Sequence, residues 1–277
     1  MTKTWFITGT SSGLGRVLAE RALTRGDHVI ATARNLSALD DLKARYPEQL
    51  HPLALELTDT ANIRQAVDAA FTQARRIDII VSNAGYGLVG AAEELSDEQL
   101  ARQLATNLTG SIQLIRAVLP HLRRQGGGRI VQISSEGGQV AYPGFSLYHA
   151  SKWGIEGFIE AVAQEVAGFG IDFMLAEPGP TDTHFGAGID YAQARPDYAG
   201  TPADNVRTAL RSGSFPVKGD PERTVEVMMR AIDQPNPPFR LALGSAAYDN
   251  IHAALTKRLQ ELNAYKAEAL FADKCPS

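Results

Sequence analysis

Trp5-Phe6-Ile7-Thr8-Gly9-Thr10-Ser11-Ser12-Gly13-Leu14-Gly15 passes from an apolar run, through a loop of small residues, into a helical pattern over residues 14–25. The three large side chains read as a strand buried on both faces. Glycines in the loop permit a tight turn and let the backbone approach a ligand closely. Such a loop in front of a helix sets unpartnered amides beside the positive end of the helix dipole, which favours a phosphate group. The spacing is not G-x-G-x-x-G, and no Gly-Lys-Ser/Thr follows, so a phosphate-transferring P-loop is excluded; a dinucleotide pyrophosphate is the ligand that fits.

The rest of the chain repeats the strand–helix alternation. Further apolar, β-branched runs are Val29–Thr32, Leu53–Leu55, Ile77–Val81, Ile130–Ile133, Ile171–Leu175 and Phe239–Leu243. Between them, residues 61–75, 97–124 and 146–168 carry apolar side chains at three- and four-residue spacing. That alternation predicts an α/β protein: one doubly wound, Rossmann-type, seven-stranded parallel sheet with helices on both faces, residues 1–277 forming one domain. Residues 183–219 break the rhythm, being rich in Gly, Pro, Ala and Asp with a short helical pattern near 203–211. An insertion of this length after a strand end reads as a substrate lid or binding loop. Asp220 and Pro221 then mark a helix start as N-cap and first helical residue. A last helix over 250–271 carries Ile251, Leu255, Leu259, Leu262 and Leu270 largely on one stripe, expected to pack on the sheet or on a neighbouring subunit.

Apolar residues are 44% of the 277, enough for a sizeable core. A net charge of −4 argues against non-specific nucleic-acid binding, which needs a basic face. Cys275 is the lone cysteine, so neither an intrachain disulfide nor a thiolate metal cluster is expected. His28, His51, His121, His149, His184 and His252 show no ligand spacing, and no metal site is expected. The opening Met1-Thr2-Lys3-Thr4 lacks the pattern of a signal peptide, and no stretch approaches a membrane span, so a cytoplasmic protein with no membrane partner is the expectation.

Chemistry enters with Tyr148-His149-Ala150-Ser151-Lys152. In a helix, the spacing sets phenol and ammonium on one face, one turn apart. A phenol titrates near about 10, and an adjacent ammonium draws it towards the working range. Ser135, thirteen residues upstream at a strand end, is placed to hold the oxygen that gains or loses the proton. The pair suits reversible chemistry at a carbonyl or an alcohol. The second strand ends at Thr32-Ala33-Arg34-Asn35, with no carboxylate for a ribose 2′-hydroxyl; Arg34 instead suits a 2′-phosphate, so NADP(H) is expected in preference to NAD(H). Ser11 adds a hydroxyl, and Arg16 either helps or points to solvent.

These motifs, in this order, resemble the short-chain dehydrogenase/reductase superfamily, in its subgroup of about 250-residue catalytic domains with a T-G-x-x-x-G-x-G loop. The resemblance runs from Thr8 to Leu243. It includes Gly9, Thr10, Ser11, Ser12, Gly13, Leu14 and Gly15 in the loop, Asn83-Ala84-Gly85, Asn107, Ser134-Ser135, Tyr148/Lys152 and Pro178-Gly179-Pro180-Thr181-Asp182-Thr183. It implies that Tyr148 is general acid or base, that Lys152 lowers its pKa and binds the nicotinamide ribose, and that Ser135 polarises the substrate oxygen. Asn107 would hold a water linking Lys152 to solvent. Asn83, Ala84 and Gly85 would line the adenine-ribose side, while Pro178, Gly179, Thr181 and Thr183 would border the nicotinamide carboxamide. Subunits of the family usually pair as dimers or tetramers through helices equivalent to 107–124 and 146–168, so a homodimer or homotetramer is expected.

Two departures stand out. The family usually has aspartate where Glu56-Leu57 stands, so either Glu56 or Asp59 contacts the adenine. Thr181 replaces a common Val or Ile. Tyr86, Gln139, Val140, Tyr142, Phe145, His184 and Phe185 are candidates for the substrate side. The leading expectation is an NADPH-dependent carbonyl reductase or the reverse alcohol dehydrogenase. Alternatives are a catalytically inactive nucleotide-binding regulator or scaffold, an NAD-dependent alcohol or hydroxysteroid-type dehydrogenase, and sugar-nucleotide epimerase or dehydratase chemistry, which the loop spacing and small C-terminal region disfavour.

Overall fold

The computed structural model describes residues 2–274; Cys275 lies outside them. In chain order the elements are β1 (Thr4–Ile7), α1 (Gly13–Thr24), β2 (His28–Ala33), α2 (Asp40–Arg45), β3 (Leu50–Ala54), α3 (Thr60–Gln73), β4 (Ile79–Ser82), β5 (Leu88–Val89) and α4 (Asp97–Leu104). They continue as α5 (Ser111–Arg124), β6 (Gly128–Ile133), α6 (Ser146–Glu165), β7 (Ile171–Pro178), β8 (Asp190–Tyr191), α7 (Pro202–Ser212), α8 (Pro221–Ile232), β9 (Arg240–Leu243), α9 (Ser245–Ala264) and α10 (Lys266–Phe271).

Seven strands form one parallel sheet in the order β3-β2-β1-β4-β6-β7-β9, and β5 and β8 form a separate two-stranded ribbon. Side chains alternate across each strand, so neighbours in sequence serve opposite cores. Trp5, Ile7, Val29, Val81, Val131 and Met174 pack under α1 and α8. Phe6, Ile30, Ile80, Ile130 and Leu175 pack under α3, α5 and α6. This is the expected doubly wound α/β, Rossmann-type fold. Chain order reverses between β1 and β4, and in such sheets the crevice outside the strand ends at that switch is the ligand site. No helix among the described residues is long and apolar enough to cross a membrane.

Three features differ from the sequence reading, two in element boundaries and one in packing. The third strand is Leu50–Ala54, not Leu53–Leu55, so Glu56 and Leu57 lie beyond its end. It is an edge strand paired only with β2, where Pro52 is tolerated on the open side; the proline and His51 interrupt the apolar run by which a strand is read. Residues 97–124 are not one regular helix: a π-helical stretch, Ala105–Gly110, separates α4 from α5. Beyond Ile251 the C-terminal stripe does not pack on the sheet, Leu255, Leu259 and Leu262 being 50%, 58% and 67% exposed. Asp220 caps α8 as expected, its carboxylate accepting from the Arg223 amide at 2.8 Å, with Pro221 at the first position.

Candidate active site

The glycine loop crosses the sheet at the switch between β1 and β4. Gly9 has φ +70°, a left-handed conformation that side chains rarely adopt, and a Cβ there would meet the Ala84 Cα at 2.9 Å. At Gly15 a Cβ would fall 2.5 Å from the Gly9 carbonyl oxygen and against the Asn83 amide. Asn83 braces the loop: its Nδ2 donates to the carbonyls of Thr8 at 2.8 Å and Gly9 at 3.2 Å. The Thr8 hydroxyl accepts from the amides of Asn83 and Ala84 at 2.8 and 3.0 Å. Ser12, the N-cap of α1, makes no side-chain cap bond, and the first turn carries no acid. The leading amides of α1 are therefore open to an anion. Ser11 and Ser12 are exposed beside them.

Of the residues expected around the nucleotide, Arg34 is exposed and has no ion pair among the described residues. Arg16 has other work, donating to Glu20 at 2.7 Å and to the Ala38 carbonyl at 3.0 Å, and pairing with Asp41. Asp59 is the N-cap of α3, its Oδ1 accepting from the amides of Ala61 and Asn62 at 2.8 and 3.0 Å, which leaves its Oδ2 for a ligand. The Glu56 carboxylate turns onto Thr58, one oxygen accepting from its amide at 3.0 Å and its hydroxyl at 2.9 Å, which leaves the second oxygen for a ligand.

Tyr148 and Lys152 share a face of α6, with the Lys152 Nζ 5.7 Å from the centre of the phenol ring. Burial pushes the phenol up to about 12, with the Ser135 hydroxyl pulling it down and the Glu136 charge adding to the rise. Burial also brings the Lys152 ammonium down to about 8, against the opposing field of Glu156. The phenol thus stands above its ordinary value, not below it as the lysine spacing suggests, and the group that draws it down is the Ser135 hydroxyl. Ser135 leads a short 3₁₀ turn, its hydroxyl accepting from the Gly137 amide at 3.0 Å. Its neighbour Ser134 faces away and donates to Glu156 at 2.5 Å, so Ser135 is the hydroxyl on the Tyr148 side. Asn107 is buried in the π stretch, and its side chain closes on one residue: Oδ1 accepts from the Tyr86 amide at 3.1 Å and Nδ2 donates to the Tyr86 carbonyl at 2.9 Å.

After β7, Gly179 donates its amide to the Leu243 carbonyl at 3.0 Å, and Thr181 bridges to Gly219. Thr183 lies over the head of α1, 3.7 Å from where a Gly13 Cβ would stand, so the turn after β7 faces the glycine loop across the crevice. Phe185 reaches back to Tyr148, the rings meeting edge-on at 5.9 Å, and Phe145 meets the same ring from another side at 5.9 Å. Val140 and Tyr86 are half-buried, and His184 is exposed. The Gln139 amide turns inward, donating to Glu156 at 3.1 Å and Glu177 at 3.4 Å. His149 is structural, with Nδ1 on the Gly137 carbonyl at 2.9 Å and Nε2 accepting from the Tyr142 amide at 2.8 Å; burial keeps it neutral.

Two charged clusters escaped the sequence reading. Glu156 and Glu177, both buried, share Arg240 at 2.7 and 2.5 Å. Glu94 and Arg207, also buried, pair at 2.7 Å and tie α7 to the turn before α4. The one available signal was the i,i+4 spacing of Glu156 from Lys152.

The family model for short chain dehydrogenases matches residues 3–193. The chain is 38% identical over 251 residues to Oxidoreductase BOA17 of Botryotinia fuckeliana, covering 90% of this chain and 91% of that one. It is 32% identical over 243 residues to a 3-ketodihydrosphingosine reductase of Bacteroides thetaiotaomicron, with 86% of each covered. A short-chain dehydrogenase from Streptomyces avermitilis superposes with a TM-score of 0.91 at 37% identity, over 98% of both chains. With this crevice, these motifs and these relatives, the chain belongs to the short-chain dehydrogenase/reductase superfamily.

Proposed function

We propose that the protein is an NADP(H)-dependent oxidoreductase that interconverts a carbonyl and a secondary alcohol. The observation that carries this reading is the convergence of Tyr148, Lys152 and Ser135 beside the crevice bounded by the glycine loop and the turn after β7. The uncapped amides of α1, the glycine approach and exposed Arg34 fit a dinucleotide carrying a 2′-phosphate. When bound, the nicotinamide supplies or accepts the hydride. Lys152, which spends one bond on the Ile133 carbonyl at 2.9 Å, has two N–H donors left for the ribose hydroxyls.

In the direction of reduction, Ser135 donates to the carbonyl oxygen and polarises it, and Tyr148 delivers the proton that completes the alcohol. A phenol held near about 12 is protonated across the neutral range, the state an acid needs. One acceptor site and one N–H of the Asn107 side chain are committed to Tyr86, which leaves its second N–H and lone pair to hold a water that replenishes the proton. Similarity to a protein named a 3-ketodihydrosphingosine reductase supports a ketone as substrate class. On this reading the partners are a small carbonyl or alcohol and further copies of the chain, in the cytoplasm.

The test is NADPH oxidation, with NADH as control, across ketones, aldehydes, steroids and acyl thioesters. Tyr148→Phe should abolish turnover while NADPH still binds; wild-type turnover in that variant sinks the mechanism. Activity with NADH alone overturns the assignment of Arg34.

A further inference from the structure

Glu156 follows Lys152 by one helical turn, and its carboxylate is buried. Oε1 accepts from the Ser134 hydroxyl at 2.5 Å; Oε2 accepts from the Gln139 amide at 3.1 Å and from Arg240 at 2.7 Å. Arg240 also holds Glu177 and Glu160, each at 2.5 Å. Gly138 stands against the carboxylate so closely that any Cβ would overlap it. One side chain therefore joins the end of β6, the turn after it and α6, and through Arg240 it reaches β7 and β9.

Burying ions is costly, and apolar replacements are often as stable, so a buried cluster of this kind is weak evidence for stability alone. Its composition is also unbalanced: three carboxylates share one guanidinium. The other cation that feels Glu156 is Lys152. Ser134, which Glu156 holds, is followed directly by Ser135.

We propose that Glu156 is a positioning residue of the active site: its carboxylate fixes the strand end that carries Ser135 and keeps negative charge one turn from the Lys152 ammonium. This rests on the reading of Tyr148, Lys152 and Ser135 given above. The charged and titratable groups around the carboxylate and the pair it serves are Lys152, Tyr148, His149 and Glu160 on α6, Glu136 on the turn, Glu177 on β7 and Arg240 on β9. Removing the Glu156 charge makes the Lys152 ammonium more acidic, because it loses a neighbouring negative charge.

Glu156→Gln keeps the volume and the hydrogen-bonding atoms and removes the charge. In cofactor-free protein with isotope-labelled lysine side chains, the Lys152 resonance, assigned by its loss in Lys152→Met, should titrate lower than in wild type by roughly half a pH unit or more. An unchanged or higher midpoint overturns the proposal. The alkaline limb of kcat/KM for reduction should move the same way, whereas a merely structural defect lowers the plateau and leaves the limb in place. Glu156→Asp, which restores the charge, should return the midpoint towards wild type. If Glu156→Gln does not fold, Ser134→Ala decides: kcat should fall several-fold with NADPH affinity and the Lys152 midpoint unchanged, and a wild-type kcat overturns the proposal. The titration needs no turnover. A moved midpoint in a protein that reduces nothing would sustain the coupling and refute the proposed function.

Discussion

Lys152 donates its ammonium to the carbonyl of Ile133 at 2.9 Å, the last residue of β6. The same strand end runs on into Ser134 and Ser135, so the helix bearing Tyr148 and the strand bearing Ser135 are tied at the point where their side chains must meet. This arrangement desolvates a cation. The ammonium has one hydrogen bond to a neutral carbonyl and feels a carboxylate a turn away, and burial outweighs both.

That desolvation predicts a pH signature. Burial brings the Lys152 ammonium down to about 8 in the folded chain, from 10.5 for a solvated lysine. Below about 8 both states carry the proton, and the folded state bears the full cost of burial. Between these values the unfolded chain binds more protons, so stability rises with pH; above 10.5 the cost is gone. Tyr148, raised from 10.0 to about 12, works oppositely, because above 10 the unfolded chain loses a proton that the folded one keeps. The gain is therefore read between about 8 and 10. Thermal melts of cofactor-free protein should show wild type gaining on Lys152→Met across this window and holding a constant difference below it; parallel curves throughout would show that the ammonium is not desolvated.

Gly15→Ala should remove nucleotide binding. The new methyl would fall 2.5 Å from the Gly9 carbonyl and against the Asn83 amide, which are parts of the loop and of its brace. Overpacking of this kind costs about 1–3 kcal/mol, and here the strain is relieved by displacing the loop itself. NADPH fluorescence titration should show affinity reduced at least tenfold with a modest fall in Tm. Full affinity in a folded Gly15→Ala protein would mean that the phosphates do not approach this backbone.

Arg207→Met should destabilise the protein by about 3–5 kcal/mol, the usual consequence of leaving a buried charge unpaired. Burial works against the Glu94 charge, yet Arg207 and the amides of Arg195 and Ala91 outweigh it and hold the carboxyl below its ordinary range. The same pair anchors α7, so limited proteolysis should begin within residues 195–219 of the variant before global unfolding. Urea denaturation with a wild-type midpoint would show that the pair contributes nothing.

The parts of the fold and site that could be read in advance are those whose signals are local. The strand–glycine–helix passage at 5–15, Asn83-Ala84-Gly85 and the Tyr148/Lys152 spacing each encode geometry within a few residues. Gln139 lies in a turn, which has no period, so nothing in its neighbourhood says whether its amide points to solvent or to Glu156. Glu156 and Arg240 are separated by 84 residues and become partners, one buried and one half-buried, only when α6 packs across β7 and β9. As letters they are indistinguishable from solvated charges. The edge strand was obscured by Pro52, which an open edge accommodates and a central strand would not.

Phe185 should act on substrate and not on cofactor. The 183–219 segment is largely pinned: β8 pairs with β5, Asp190 bonds the Gly87 carbonyl at 2.9 Å, Thr181 bridges to Gly219, and Arg207 holds α7. Between these fixings the span around His184–Ile189 lacks an anchor of comparable strength; its bonds are local, such as Gly188 to the His184 carbonyl at 3.1 Å, and it contains two glycines. Phe185 sits in that span, 39% exposed, with its ring against Tyr148 and 3.1 Å from where a Gly87 Cβ would stand. An apolar ketone brought to Tyr148 must share the space with this ring and gain contact from it. Truncation to alanine removes apolar contact of about 1–2 kcal/mol, which corresponds to roughly a five- to thirtyfold change. Phe185→Ala should therefore raise KM for an apolar carbonyl by that factor with the Kd for NADPH unchanged, measured by steady-state kinetics and fluorescence titration on the same protein. A weakened NADPH Kd with an unaltered carbonyl KM would put this ring on the nucleotide side of the crevice instead.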